Sequence, residues 1–114
     1  MPVRPQILAI RFICTQEGRE PVREWLKQLP ADERKTIGDD LRTVQFGWPM
    51  GMPLVRNVER GIWEIRISMP NRIARVLFTF FEGEAVLLHG FIKKSQATPL
   101  PDLRLARGRR RQLT

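Results

Sequence analysis

The chain has 114 residues, 42% of them apolar, and a formal net charge of +8 at pH 7. This length predicts a single compact domain over residues 1–114, whose core needs neither disulfides nor a structural metal. A lone cysteine excludes a disulfide framework, and the sequence shows no signal peptide or membrane-spanning run, so we expect a cytoplasmic protein that avoids membranes.

The positive charge is unevenly distributed along the chain. After residue 60, ten Lys and Arg stand against four Asp and Glu. Such a surplus favours a polyanionic partner such as nucleic acid, but it is equally compatible with an acidic protein partner or with simple solubility. Charge alone therefore leaves the class of partner open.

The first predicted element is a strand over the isoleucine-rich run 7–13. Its apolar residues do not alternate with polar ones, which is typical of a strand covered on both faces. We therefore expect this strand in the centre of the sheet. Cys14 at its end is predicted to be buried as a small apolar side chain.

Two helices are predicted next, and together they form a hairpin. The first begins at Glu20 and Pro21, because proline in the first helical position loses no hydrogen bond, and it ends at Pro30. The second is capped by Asp32. Apolar side chains recur at helical spacing in both: Val22, Trp25, Leu26 and Leu29, then Ile37, Leu41 and Val44.

A loop is predicted over residues 46–53, which contain two Gly and two Pro. Trp48 in this loop has two interpretations, a plug of the core or a platform that stacks nucleic-acid bases, and the first is favoured. Residues 54–58 then form a short strand that leads to the main strand at Ile62.

The next strand alternates clearly between apolar and polar residues. Trp63, Ile65 and Ile67 point to one side, and Glu64 and Arg66 to the other, as in a sheet covered by helices on only one face. Arg66 is therefore expected on the open face. In the following strand, Arg75 and Thr79 join Arg66 if the two strands pair in register. The core side would then receive Ala74, Val76, Phe78 and Phe80.

The last strand is predicted over residues 85–92, after a tight turn at residues 82–84. Alternation places four of its residues on one face: Leu87, His89, Phe91 and Lys93. His89 would then lie beside Arg75 if this face is the open one. A histidine among arginines and lysines can hold a phosphodiester and move protons around it, which makes RNA our first hypothesis for the substrate.

A C-terminal helix is predicted after Thr98 and Pro99, which suit a cap and the first helical position. Its apolar stripe is thin and consists of Leu100, Leu103 and Ala106. Gly108 and the arginines at 109–111 predict a frayed end and a solvated basic tail.

Three blocks of the sequence resemble one known family. They are Gly61-Ile62-Trp63-Glu64-Ile65-Arg66, then Ala74-Arg75-Val76-Leu77-Phe78, then His89-Gly90-Phe91-Ile92-Lys93-Lys94 followed by Gln96, Thr98 and Pro99. With the order of elements, they resemble the phage-derived HigB-like branch of the RelE/ParE toxin superfamily over nearly the whole chain. This resemblance implies an α+β RelE-like domain, with an N-terminal strand and helical hairpin packed on a mainly antiparallel sheet, and a C-terminal helix.

The resemblance also implies a function. The protein would be the toxin of a type II toxin–antitoxin pair, a ribosome-dependent endoribonuclease that cuts mRNA and inhibits translation. Its partners would be mRNA on the ribosome and a cognate antitoxin of the helix-turn-helix, HigA-like kind. No cofactor or metal is expected, because no Cys, His and Asp cluster has metal-ligand spacing.

The catalytic residues implied by the resemblance are Arg66, Arg75, His89 and Lys94. A guanidinium group matches phosphate oxygens bidentately, so Arg66 and Arg75 are expected to bind the scissile phosphate. His89 or Lys94 would transfer protons. Further contacts to RNA are expected from Arg56, Lys93 and Phe91.

Several alternatives stay open at this point. Lys93 and Lys94 alternate faces, so one of them reaches the phosphate unless the strand has ended. His89 has a purely structural interpretation, and Arg66 with Glu64 has that of a surface ion pair. The absence of tyrosine leaves the general base undecided, since Phe91 can stack but holds no proton. The competing functions are a ParE-like inhibitor of DNA gyrase and a non-catalytic basic binding module.

Overall fold

The computed structural model describes residues 7–51, 54–94 and 96–114. Within these ranges five strands and three helices follow one another: β1 (Ile10–Phe12), α1 (Pro21–Lys27), α2 (Ala31–Gly47), β2 (Val55–Glu59), β3 (Ile62–Ser68), β4 (Ile73–Phe81), β5 (Glu84–Ile92) and α3 (Leu100–Arg110). This order confirms the predicted α+β architecture of a RelE-like domain, including its C-terminal helix.

The five strands form one sheet in the order β1-β5-β4-β3-β2. All neighbouring pairs are antiparallel except β1 and β5, which are parallel. The N-terminal strand therefore lies at an edge, and the prediction that it is central was wrong. Its apolar residues serve both faces of the sheet, since Phe12 packs against the larger core and Ile13, just after the strand, belongs to a second core.

Helices cover both faces of the sheet, although the sequence predicted helices on one face alone. Val22 of α1 and Ile37 of α2 pack with Val76 in the larger core. Ala106 of α3 packs with Leu77 on the opposite face. Alternation alone missed this second layer because α3 presents only a thin apolar stripe.

The helix boundaries follow the proline signals only in part. Pro21 begins α1 as predicted, but the helix ends at Lys27, three residues before Pro30. Pro30 is the N-cap of α2, so Asp32 lies in its first turn instead of at the cap. An acidic side chain in that turn still interacts favourably with the helix dipole.

The segment after α2 supports the core interpretation of Trp48. The helix runs to Gly47, so only the described residues 48–51 remain of the predicted loop, and its residues 52–53 lie outside the described part. The Trp48 ring packs against Phe78 and Phe80, with ring centroids 6.1 and 5.0 Å apart. Trp48 is therefore a half-buried side chain that packs against the larger core, which supports its interpretation as a core residue.

A β-bulge in β5 decides which side chains share a face. His89 pairs with Leu77 while Leu87 pairs with Phe78, so Leu88 is an additional residue between them. As a result Leu87 points into the larger core and His89 to the opposite face. The prediction that these two residues share a face was wrong, because simple alternation does not anticipate an inserted residue.

The predicted turn between β4 and β5 is confirmed. Phe81 pairs with Glu84, and Glu82 and Gly83 between them have φ values of 51° and 80°. Two consecutive residues with positive φ are typical of the two-residue turns that suit the twist of a hairpin.

Both ends of the described chain differ from prediction. Cys14 is exposed, because β1 has already ended at Phe12. Pro99 occupies the N-cap of α3, and the helix continues through Gly108 to Arg110 instead of fraying. None of the described helices is long and apolar enough to cross a membrane.

Candidate functional site

Strand register gathers basic side chains on the sheet face that lies opposite α1 and α2. Arg56 of β2 pairs with Glu64 of β3, and Arg66 of β3 pairs with Arg75 of β4. Arg75 in turn pairs with Phe91 of β5. Because paired residues on neighbouring strands share a face, these side chains lie together, as the sequence predicted for Arg66 and Arg75.

Lys93 joins this group just after β5 ends. Its Nζ donates a 3.4 Å hydrogen bond to Oε1 of Gln96, and the backbone oxygen of Gln96 accepts a 2.9 Å hydrogen bond from Nη2 of Arg75. We call Arg56, Arg66, Arg75 and Lys93 the basic cluster. It consists of one cation from each of β2, β3 and β4 and one from the residue after β5.

Glu64 is the buried acidic centre of the basic cluster. Its carboxylate lies 3.3 Å from Nη1 of Arg75 and 3.6 Å from Nη2 of Arg56. It also accepts a 3.1 Å hydrogen bond from the hydroxyl of Thr98. Only 3% of its side chain is exposed, so these partners replace water around the charge. The carboxylate therefore fixes the positions of the arginines that surround it.

Arg75 lies beneath the surface of the basic cluster, with 3% of its side chain exposed. Burial lowers the pKa of its guanidinium, and the nearby Glu64 carboxylate partly opposes this effect. Its Nε has no hydrogen-bond acceptor among the described residues, and its Nη1 lies beside the Glu64 carboxylate without forming a hydrogen bond. Arg75 is thus a buried cation with unused donors, a combination that favours an additional anion.

Arg66 is more accessible than Arg75 and stands directly opposite it in the sheet. In the described parts of the chain it forms no ion pair, and its buried Nε has no acceptor. The interpretation of Arg66 and Glu64 as a surface ion pair therefore receives no support. Two guanidinium groups on directly opposed residues repel each other, and an anion bound between them would remove that repulsion.

The two lysines after β5 occupy different surroundings. Lys93 lies with the arginines, and its pKa is lowered by desolvation and then by the charges of Arg66 and Arg75. Lys94 is exposed and borders two depressions, one that it shares with Lys93 and one that it shares with Trp25, and no contact joins it to the arginines of the basic cluster within the described residues. The structure therefore brings Lys93, and not Lys94, into the basic cluster.

His89 is held by α3 instead of facing an open surface. Its Nε2 lies 2.6 Å from Oδ1 of Asp102, and Arg109 donates a 3.1 Å hydrogen bond to its Nδ1. These contacts fit a neutral ring that carries its proton on Nε2. Burial lowers the pKa of His89 and Arg109 lowers it further, although the hydrogen bond with Asp102 opposes both effects.

Phe91 connects His89 with the basic cluster. Its ring stacks on the His89 ring with centroids 5.5 Å apart, and its backbone pairs with Arg75. The ring is half-buried, so part of its surface stays available to a base. His89 thus supports Phe91 from behind, at a position separate from the arginine pair.

The predictions from the sequence did not include three further residues of this region, Glu64, Asp102 and Arg109. Glu64 could have been found, since alternation placed it on the same face as Arg66. Asp102 and Arg109 gave no local signal, because their role depends on how α3 packs across the sheet. The arginine run at 109–111 looked like a tail, yet Arg109 also donates a 2.9 Å hydrogen bond to the backbone oxygen of Leu88.

A comparison with known families now adds to this geometry. Residues 24–111 match the family described as Phage derived protein Gp49-like (DUF891). The chain belongs to this Gp49-like family. The family is part of the RelE/ParE-like toxin superfamily and is associated with toxins of toxin–antitoxin systems. No curated protein matches the sequence of this Gp49-like chain. The matched range includes every residue of the basic cluster.

Proposed function

We propose that this Gp49-like protein is the toxin of a type II toxin–antitoxin pair and cuts mRNA on the ribosome. The observation that carries the proposal is the pair of opposed arginines, Arg66 and Arg75, with buried N–H groups that lack acceptors among the described residues. A phosphodiester supplies the acceptors and the negative charge that such a pair needs. We further propose that the protein belongs to the HigB-like branch of its superfamily.

In the proposed mechanism the arginines have unequal parts. Arg66 contacts the scissile phosphate, because it is the more accessible of the two. Arg75 contributes positive potential from below, where low exposure reduces the screening of its charge by water. Together they stabilise the negative charge that grows on the phosphate when the RNA 2′-oxygen attacks it. Arg56 binds a neighbouring phosphate, and Phe91 stacks on a base.

Proton transfer is assigned first to Lys93. Its lowered pKa increases the fraction of neutral amine, which can accept the proton of the 2′-hydroxyl. The new bond joins the 2′-oxygen to phosphorus, the bond from phosphorus to the 5′-oxygen breaks, and the leaving oxygen takes a proton from solvent. His89 and Lys94 are the alternative groups for proton transfer. His89 is hydrogen-bonded to Asp102 and Arg109 of α3, and Lys94 is exposed beside Lys93.

Arg66→Ala is the variant that tests this proposal. The change removes a phosphate contact without breaking an ion pair of the described residues, so we expect the fold to persist and cleavage to fall by about a hundredfold or more. The matched control is Arg42→Ala, which removes the same charge from the exposed surface of α2. Wild type and both variants are induced without antitoxin, and new 5′ ends of messages are mapped shortly afterwards.

The expected result is growth arrest with new ends inside translated frames for the wild type and Arg42→Ala, and neither effect for Arg66→Ala. Full cleavage by Arg66→Ala would contradict the mechanism. Arrest without new message ends, accompanied by DNA-damage signalling, would indicate a gyrase inhibitor instead. Normal growth with abundant folded wild-type protein would leave a non-catalytic binding module as the better description.

A further inference from the structure

A groove of about 680 Å³ runs between α3 and the segment that joins β1 to α1. Pro101, Arg104 and Leu105 form its α3 side, and Arg19 and Pro21 form the opposite side. The amide nitrogen of Gln16 donates a 3.0 Å hydrogen bond to the side chain of Gln112, which ties the two walls together. Among the described residues, none from the basic cluster lines this groove.

The α3 side of the groove contains one large apolar side chain that is not covered by other residues. Leu105 is 47% exposed, although it lies one residue before Ala106, which is completely buried in the second core. The flanking prolines Pro21 and Pro101 extend this apolar surface. An exposed leucine of α3, with Pro101 of the same helix and Pro21 of α1 beside it, suits contact with another apolar side chain.

The rim of the groove is positively charged. Arg104 forms no ion pair within the described ranges, and the guanidinium of Arg109 donates to the backbone of Leu88 and to His89, neither of which is a carboxylate. Arg19 is paired with Glu24, and Glu17 is the one acidic side chain among the described lining residues. The lining therefore keeps a positive surplus that carboxylates would balance.

The same lining argues against RNA as the occupant. Proteins that bind single-stranded RNA stack bases on aromatic rings, and no aromatic side chain lines the described groove. An exposed leucine next to an unpaired arginine instead matches a helix that has leucines on one face and carboxylates beside them.

We propose that this groove binds an acidic amphipathic helical segment of a partner protein. Leucine-type side chains of that segment would pack on Leu105, and its carboxylates would pair with Arg104. If the proposed function holds, the partner is the antitoxin, and it holds the toxin on a surface separate from the basic cluster.

The test uses a fluorescent peptide of Leu and Glu, about twelve residues or roughly three helical turns long. Its affinity is measured by fluorescence anisotropy for the wild type and for Arg104→Glu and Leu105→Asp. We expect each variant to weaken binding by about tenfold or more, through a repelled carboxylate or a lost apolar contact. Thermal unfolding of every variant verifies that the fold persists.

Two control variants match these changes outside the groove. Leu100→Asp alters another leucine of α3 that is 48% exposed, and Arg60→Glu alters an exposed arginine in the turn before β3. Both are expected to bind the acidic peptide like the wild type. Equal weakening by the controls, or no binding to the wild type, would overturn the proposal.

A competition measurement separates a protein partner from RNA. An oligoribonucleotide of about the same length should leave the peptide bound, because the groove lacks stacking rings. Displacement that depends on Arg104 would overturn the assignment to a protein. None of these readouts involves RNA cleavage or toxicity, so a failure here leaves the proposed function standing, and the reverse also holds.

Discussion

Glu64 places a buried carboxylate inside a site that we assign to an anion. Arg75 and Arg56 lie within ion-pair distance of it, and Thr98 donates a hydrogen bond to it. A carboxylate at this position weakens phosphate binding by simple charge repulsion, but it keeps two long side chains in fixed positions. Its main effect is therefore to orient the arginines, which reduces the loss of side-chain entropy when an anion binds.

We predict that Arg75→Ala destabilises the protein strongly. The change removes the guanidinium nearest to the buried Glu64 carboxylate and leaves it with the more distant Arg56 and the hydroxyl of Thr98. Such a loss from a buried ion pair costs about 3 kcal/mol in the free energy of unfolding. The control is Arg72→Ala, which breaks the ion pair between Arg72 and Glu33. Because Arg72 is exposed, this change should lower the free energy of unfolding by less than about 1 kcal/mol. Urea unfolding of both variants measures the difference.

A double variant shows whether the charge of Glu64 causes the loss of stability in Arg75→Ala. Glu64→Gln added to Arg75→Ala removes the buried negative charge and should recover about 1 kcal/mol or more of the loss. Equal losses for Arg75→Ala and Arg72→Ala would show that the buried Glu64 carboxylate does not need Arg75 to compensate its charge.

The lowered pKa of His89 predicts a dependence of stability on pH. The unfolded chain binds a proton near pH 6.5, whereas the folded ring, buried and next to Arg109, binds one only at lower pH. The stability conferred by neutral His89 is therefore complete above the unfolded pKa and is lost as pH falls towards the folded pKa. Unfolding in urea between about pH 7.5 and pH 5.5 measures this loss.

His89→Gln is the matching variant, because an amide does not titrate. Its free energy of unfolding should fall less on acidification than that of the wild type. Asp102→Asn removes the hydrogen-bonded carboxylate that raises the pKa of His89, so its stability should fall more steeply. Parallel curves for the wild type and His89→Gln would show that His89 does not titrate differently on folding.

At the scale of elements, Gly90 allows α1 to pack closely on β5. A Cβ atom at this position would overlap the six-membered ring of Trp25. We therefore predict that Gly90→Ala forces α1 outward and lowers the free energy of unfolding by about 1–3 kcal/mol. Urea unfolding followed by tryptophan fluorescence measures the change.

Gly38→Ala is the control for this substitution. Gly38 lies inside α2, and a Cβ atom there meets nothing within 4 Å. The same change should stabilise the protein by about 0.5–1 kcal/mol, because alanine favours the helix over glycine. Equal effects at the two glycines would rule out the close approach of Trp25 as the cause.

The sequence predicted the individual helices and strands better than the way in which they pack and pair with one another. Alternation in β3 and a turn at Glu82 and Gly83 are local signals, and both were correct. The bulge at Leu88 and the edge position of β1 depend on contacts between distant segments, which local periodicity does not encode. The same distinction applies to the site.

For the whole molecule, arginines on one sheet face could be predicted, but their surroundings could not. Arg66 and Arg75 were placed together from alternation and register, and their pairing is confirmed. The depth of Arg75 and the hydrogen bonds around His89 arise from α3 and from the segment after β5. These segments have weak patterns, so their packing becomes visible only in three dimensions.

The basic cluster draws one cation from each of β2, β3 and β4, and one from the residue after β5. A hairpin of two neighbouring strands contains at most two of these cations. The full basic cluster therefore needs all four segments in one sheet. During synthesis the site can form only after Lys93 has left the ribosomal tunnel and β5 has joined the sheet. A newly made chain therefore lacks the complete basic cluster until its last strand docks.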